Sequence, residues 1–182
     1  MLLPQAFYHQ NDVRRVARDL IGKALFTRMS GKVTAGLIVE TEAYSWKERG
    51  CHAYGNRMTV RNAVMFGKGG NAYVYLCYGM YNLFNVVTNR EGKADAVLIR
   101  ALEPIEGISV MQRRTGATHI KRITSGPGKL TIALAIERNH NGIPLTSDKV
   151  WLADIGQKVA RRDIATGPRI GIAYAGEDAL LP

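Results

Sequence analysis

The spacing of apolar positions changes several times along the chain, and each change marks an element. Val13, Val16, Ala17, Leu20 and Ile21 recur at helical spacing, with Arg14, Arg15, Arg18 and Asp19 on the other side. Asn11 or Asp12 stands where a helix is capped and Gly22 where one stops, so the spacing predicts a helix between them. The period then falls to two. Residues 24–29 read as a strand, Ser30-Gly31-Lys32 as a turn, and 33–44 as a long partner strand. Residues 45–71 are polar, Gly-rich and basic with no clean period, which predicts a long loop, and long loops in compact domains usually carry function. Strands follow at 72–78, 83–88 and 96–102, separated by turns at Gly79 and at 89–93. Glu103-Pro104 predicts a helix start with proline in its first turn, running to about Arg113. Ser125-Gly126-Pro127-Gly128-Lys129 precedes an apolar helix over about 130–136. Asn141-Gly142 is a turn, and two short strands are expected at 150–155 and 170–174. Strands in hairpin order beside a few helices imply an α+β fold: one domain over 1–182 with a mainly antiparallel sheet.

Composition narrows the class. The 182 residues suit one core, and 46% apolar with 22% charged residues excludes a disordered chain. No apolar run reaches the roughly 18–20 residues of a membrane span, and the first residues do not form a signal peptide. Two cysteines, Cys51 and Cys77, make no disulfide framework, so a reducing compartment is expected rather than secretion. The net charge of +10 points towards phosphate-bearing partners.

Four groups of residues could do chemistry. On an alternating strand, Ile38, Glu40, Glu42 and Tyr44 share one face, so two carboxylates stand beside an aromatic ring. A solvated outer face is the commoner explanation of such a strand. Tyr73, Tyr75, Tyr78 and Tyr81 cluster around Gly79-Met80, where core packing and base stacking are both open readings. Arg100 and Asn85 interrupt apolar strands and need polar partners. Ser125-Gly126-Pro127-Gly128-Lys129 could offer backbone N–H groups and a cation to one phosphate, or simply cap a helix. The four histidines lack metal-site spacing, and no nucleophile elbow, phosphate loop or dinucleotide fingerprint is present, so neither metal nor cofactor is expected.

Read in order, these segments resemble the alkyladenine (3-methyladenine) DNA glycosylase family. The resemblance runs through Ile38-Val39-Glu40-Thr41-Glu42-Ala43-Tyr44, His52-Ala53, Arg57, Arg61-Asn62, Met65-Phe66, Tyr73-Val74-Tyr75 and Tyr78-Gly79-Met80-Tyr81. It continues through Asn85-Val86, Val97-Leu98-Ile99-Arg100-Ala101-Leu102-Glu103-Pro104, Ser125-Gly126-Pro127-Gly128-Lys129-Leu130 and Gly167-Pro168-Arg169-Ile170-Gly171, covering nearly the whole chain.

The resemblance implies a curved antiparallel sheet and a monofunctional enzyme that flips a damaged purine from duplex DNA and hydrolyses its N-glycosidic bond. The expected substrates are 3-methyladenine, 7-methylguanine, hypoxanthine and ethenoadenine. Glu42 matches the general base, Arg100 a residue holding the attacking water, and the Ile170 carbonyl a third partner of that water. Tyr44, His52 and Tyr75 match the walls of the base pocket, and Asn85 an amide that screens guanine. Tyr78 matches the ring that fills the vacated stack, with Met80 and Tyr81 beside it. Arg61 and Lys129 are the motif-supported contacts to the DNA backbone. The partner implied is double-stranded DNA, met by a monomer in the cytoplasm or nucleus. The family continues past the Ala175-Gly176-Glu177 region into an aromatic-rich strand, so a domain without that C-terminal strand is expected. A non-catalytic nucleic-acid binder leaves Glu42 without a task, and a nucleoside hydrolase needs neither the +10 charge nor a wedge ring.

Overall fold

The computed structural model describes residues 1–181. Six strands form one sheet in the order β3-β4-β5-β2-β1-β6, with every neighbouring pair antiparallel. They are β1 (Ala24–Met29), β2 (Lys32–Tyr44), β3 (Ala72–Cys77), β4 (Tyr81–Thr88), β5 (Asp95–Glu106) and β6 (Val150–Ala153). The helices are α1 (Gln5–Tyr8), α2 (Val13–Leu20), α3 (Ile108–Thr115), α4 (Ile120–Ile123) and α5 (Pro127–Leu134). The α+β class and the curled antiparallel sheet are as expected.

Alternation along the strands sorts side chains onto two faces, which is how the sequence places the site. Ala72 and Val74 of β3, Phe84 and Val86 of β4, and Val97 and Ile99 of β5 enter the main core, with α2, α3 and α5 packed against it. Tyr73, Tyr75, Val87 and Ala96 face the other way, onto the 45–71 segment. That segment buries a small core of its own from Cys51, Ala53, Met65 and Phe66, so it is an ordered cover over the sheet. Asp12 caps α2 by accepting from the Arg14 and Arg15 N–H groups, as the pattern predicts.

Four expectations need correction. Ile38 does not share a face with Glu42. The β2–β5 register slips between Ile38 and Glu40, leaving Val39 bulged and half exposed, so Ile38 enters the main core while Glu42 and Tyr44 face away from it. A bulge shifts the alternation by one residue, which a strict period of two cannot foresee. Glu103-Pro104 does not open a helix. β5 runs on to Glu106, with Pro104 opposite Gly36 at another register slip, and α3 starts only after Gly107. Proline lacks the ladder N–H, and a bulge is where a sheet tolerates that loss. The second apolar helix begins at Pro127 and ends at Leu134, where Ala135 takes a left-handed conformation. Residues 170–174 form no strand. Gly171 has a positive φ of +79°, and 3-10 turns span Ala173–Leu180.

Candidate functional site

β2 and β5 lie side by side, and their bulges bring Glu42 and Arg100 together. Glu42 is buried, with 5% of its surface exposed. Its Oε1 accepts the Ile170 N–H at 2.8 Å and lies 3.3 Å from Arg100 Nη1, while its Oε2 accepts the Tyr44 hydroxyl at 2.8 Å. A carboxylate offers about four acceptor positions, so these three neighbours orient the group and leave room for one more donor. Arg100 also donates through Nε to Glu40 Oε1 at 3.0 Å. The charge inside an apolar strand is therefore paired with both carboxylates of the Glu-x-Glu run, and only Glu40 reaches solvent, half exposed.

This carboxylate lines a cleft of about 660 Å³ together with Tyr44, His52, Tyr75, Arg100 and Ile170. A recess of about 50 Å³ adjoins it, sharing Tyr44, His52 and Tyr75 and adding Asn85. The rings are fixed by one another. His52 Nδ1 lies 2.9 Å from the Tyr73 hydroxyl, the His52 ring meets Tyr75 at 4.6 Å, and Tyr73 and Tyr75 are 5.4 Å apart. Although one side of His52 opens to the cleft, packing among these rings and the nearby Arg61 cation push its pKa down to about 4, so the imidazole is neutral at physiological pH. Burial and the adjacent Glu42 carboxylate push the Tyr44 phenol up, which keeps it a donor. Asn85 is buried and donates to the Tyr73 carbonyl at 3.1 Å.

The loop carrying His52 is held by Asn62, whose amide donates to the carbonyls of His52 at 2.8 Å and Arg57 at 3.0 Å. Arg61 follows from that loop and lies over the Tyr75 ring at 5.1 Å, at the cleft wall. Lys129 also lines the cleft, at the start of α5, with Ser125, Gly126 and Gly128. No side chain caps that helix, and Pro127 brings no N–H.

The β3–β4 hairpin forms the rim. Tyr78 and Gly79 take successive positive φ values of +50° and +70°, and the Met80 N–H closes the turn on the Cys77 carbonyl at 3.0 Å. Tyr78 is 84% exposed at this tip and still borders the cleft, as does Tyr81. Tyr81 lies directly on Gly128, where an added Cβ would sit 2.7 Å from its Cγ. Met80 is exposed but borders a neighbouring groove with Ile132 and Ala135 instead. Among the described residues, no group of three or more His, Cys, Asp or Glu is placed to hold a metal ion, and no helix is long and apolar enough to cross a membrane.

The model for the family described as methylpurine-DNA glycosylase (MPG) matches residues 6–182. The chain belongs to the methylpurine-DNA glycosylase family. Similar curated proteins bear the name "Putative 3-methyladenine DNA glycosylase". One from Carboxydothermus hydrogenoformans is 48% identical over 98% of this chain and 92% of its own length. Others come from Chlamydia felis, 45% identical over 100% and 93%, and Methanocella arvoryzae, 48% identical over 100% and 90%.

Within this glycosylase-family chain the structure brings Glu42, Arg100, Ile170, Tyr44, His52, Tyr75, Asn85, Tyr78, Tyr81, Arg61 and Lys129 to the cleft or its recess. It leaves Met80 outside them, and it adds a contact that was not expected, the N–H of Ile170 donating to Glu42 Oε1. Sequence reasoning missed Ile172 and Tyr174 as cleft walls, because a predicted strand there assigns no side chain to the cavity.

Proposed function

We propose that the chain is a monofunctional DNA glycosylase that extrudes a damaged purine from duplex DNA and hydrolyses its N-glycosidic bond with water, leaving an abasic site. The observation that carries this reading is the buried Glu42 carboxylate at the floor of a ring-lined cleft with an exposed tyrosine at its rim.

The roles follow from the chemistry. Glu42 takes a proton from a water as the water attacks the sugar carbon, a task in which a positioned base contributes about 10²–10⁴-fold. Arg100, beside Glu42, orients the same water and balances the carboxylate. The flipped purine enters between Tyr44, His52 and Tyr75. An alkylated purine is cationic, so neutral rings with electron-rich faces attract it, and a neutral His52 spares it a like charge. That positive charge also makes the base a good leaving group, whereas hypoxanthine requires protonation, so its excision has a bell-shaped pH profile. Asn85, in the recess, meets the edge of the base and screens the 2-amino group of guanine. Flipping costs a few kcal/mol, and the Tyr78 ring offsets part of this by filling the vacated stack. Tyr81 extends the rim beside it, Met80 adds an exposed apolar side chain at the same hairpin tip, and Arg61 and Lys129 meet the flanking phosphates. The substrates are 3-methyladenine, 7-methylguanine, hypoxanthine and ethenoadenine. Water is the nucleophile, so no lysine Schiff base and no strand cleavage accompany excision.

Incubation with duplexes each holding one of these lesions, followed by alkaline cleavage, tests the proposal. Strand breaks only after alkali, and only at the lesion, are expected. Absence of breaks with every lesion, despite tight binding of the duplex, would establish a non-catalytic binder instead.

A further inference from the structure

Residues 167–181 carry the far wall of the cleft without belonging to the sheet, so something other than a ladder must hold them. The contacts converge on Arg169. Its side chain is 1% exposed. Nη1 donates to the Ala43 carbonyl at 2.8 Å and to Glu48 Oε2 at 2.7 Å, and Nη2 donates to the Asp178 carbonyl. The guanidinium lies over the Tyr44 ring at 5.0 Å. One planar cation thus ties together β2 at Ala43, the turn after it at Glu48, and the C-terminal 3-10 segment at Asp178.

Those anchor points flank the catalytic carboxylate. Ala43 sits between Glu42 and Tyr44, and Ile170 directly follows Arg169. The Tyr44 hydroxyl reaches Glu42 Oε2 and the Ile170 N–H reaches Oε1. We infer that Arg169 is the positioning residue for Glu42, holding from behind both the ring and the backbone N–H that orient its two oxygens. The inference rests on the glycosylase reading for its catalytic consequence, though not for its structural one.

The chemistry requires arginine. Three acceptors lie in different directions around a flat group that also stacks on a ring, and an ammonium can do neither the fork nor the stack. A charge this deep is costly unless paired, and Glu48 is its only carboxylate partner among the described residues. Nε remains buried without a partner. A group placed purely for stability would be better served by an apolar side chain of similar volume. The arrangement is understandable if position, rather than stability, is what it maintains.

The test compares Arg169→Lys with the wild-type chain by two measurements. In single turnover with saturating enzyme on a lesion duplex, Arg169→Lys is expected to lower the rate constant about 10–100-fold, since a displacement of about 1 Å in a reacting group can cost about 10²-fold. Affinity for a duplex holding a tetrahydrofuran abasic analogue is expected to stay within about threefold. A merely structural role would lower the active fraction or the affinity and leave the saturated rate constant unchanged, and that pattern would overturn the inference. Amide hydrogen exchange, measured without DNA, is expected to show lost protection at Ile170 while β4 and β5 keep theirs; unchanged protection at Ile170 would also overturn it. If Arg169→Lys does not fold, Glu48→Gln is measured the same way and is expected to show the same pattern, more weakly; wild-type rate and protection there would count against Arg169. Should the wild-type chain excise no base at all, the glycosylase reading fails, and exchange at Ile170 still decides what Arg169 holds.

Discussion

Tyr78→Asn should make the protein more stable and worse at holding DNA, and both magnitudes follow from the hairpin. Tyr78 has φ +50° and precedes Gly79 at φ +70°. Two successive left-handed residues favour Asn-Gly, and a bulky side chain at the first of them is strained by roughly 1–2 kcal/mol. The ring is 84% exposed, so little burial is lost on its removal. Asparagine tolerates this region several-fold better than tyrosine, so a gain of about 1 kcal/mol is expected, or about 2–4 °C in Tm for a chain of this length. Stacking of a ring in DNA is worth about 1–3 kcal/mol, so affinity for an abasic-analogue duplex should fall by roughly 5–150-fold. Thermal denaturation and fluorescence anisotropy measure the two effects on one preparation. A variant less stable than wild type would mean that the ring packs on the protein. Unchanged DNA affinity would remove the wedge role, and the strain would then have no function to explain it.

Two further perturbations probe the same surfaces. Gly128→Ala puts a Cβ 2.7 Å from Tyr81 Cγ. In wild type it should destabilise by about 1–2 kcal/mol and weaken DNA binding, whereas in a Tyr81→Ala background the penalty should shrink without vanishing, because the ring is gone but the Cβ of residue 81 still lies 2.9 Å from the added one. An equal penalty in both backgrounds, read from urea denaturation, would contradict packing of the Tyr81 ring on Gly128. His52, with its pKa pushed down to about 4, should show no NMR inflection of its ring protons above about pH 5. Its folded-state pKa lies below the unfolded value of about 6.5, so protonation favours the unfolded chain. Its contribution to stability is complete above about pH 6.5 and is lost as pH falls towards 4. A midpoint near 6.5 would show a solvated imidazole, outside the ring cluster.

The parts of this fold legible in the sequence are those governed by one period at a time. Tyr73 and Tyr75 alternate with Val74, and the structure keeps them on one face, away from the main core. Asp12 and the apolar stripe after it were sufficient for α2. The reading fails where two strands negotiate their register. The bulge at Val39 sends Ile38 to the core and leaves Glu42 and Tyr44 on the site face, and a local pattern does not contain the partner strand that decides this. Pro104 misleads for the same reason, since proline starts helices and also marks bulges. The C-terminal wall was misread as a strand, because Ile170 spends its N–H on Glu42 and not on a neighbouring strand. The candidate site was legible chiefly through the resemblance. Taken alone, a Glu-x-Glu strand is most often a wet surface, and the burial that distinguishes Glu42 from Glu40 emerges only when β5 and residues 167–181 close over it.

The central claim concerns the Glu42 carboxylate, and Glu42→Gln tests it most directly because the amide keeps the shape and removes the base. Single-turnover excision from a lesion duplex by excess enzyme should slow by at least about 10²-fold, the least a positioned general base contributes, with abasic-analogue binding within about threefold of wild type. Excision at the wild-type rate by a folded Glu42→Gln variant would contradict the account.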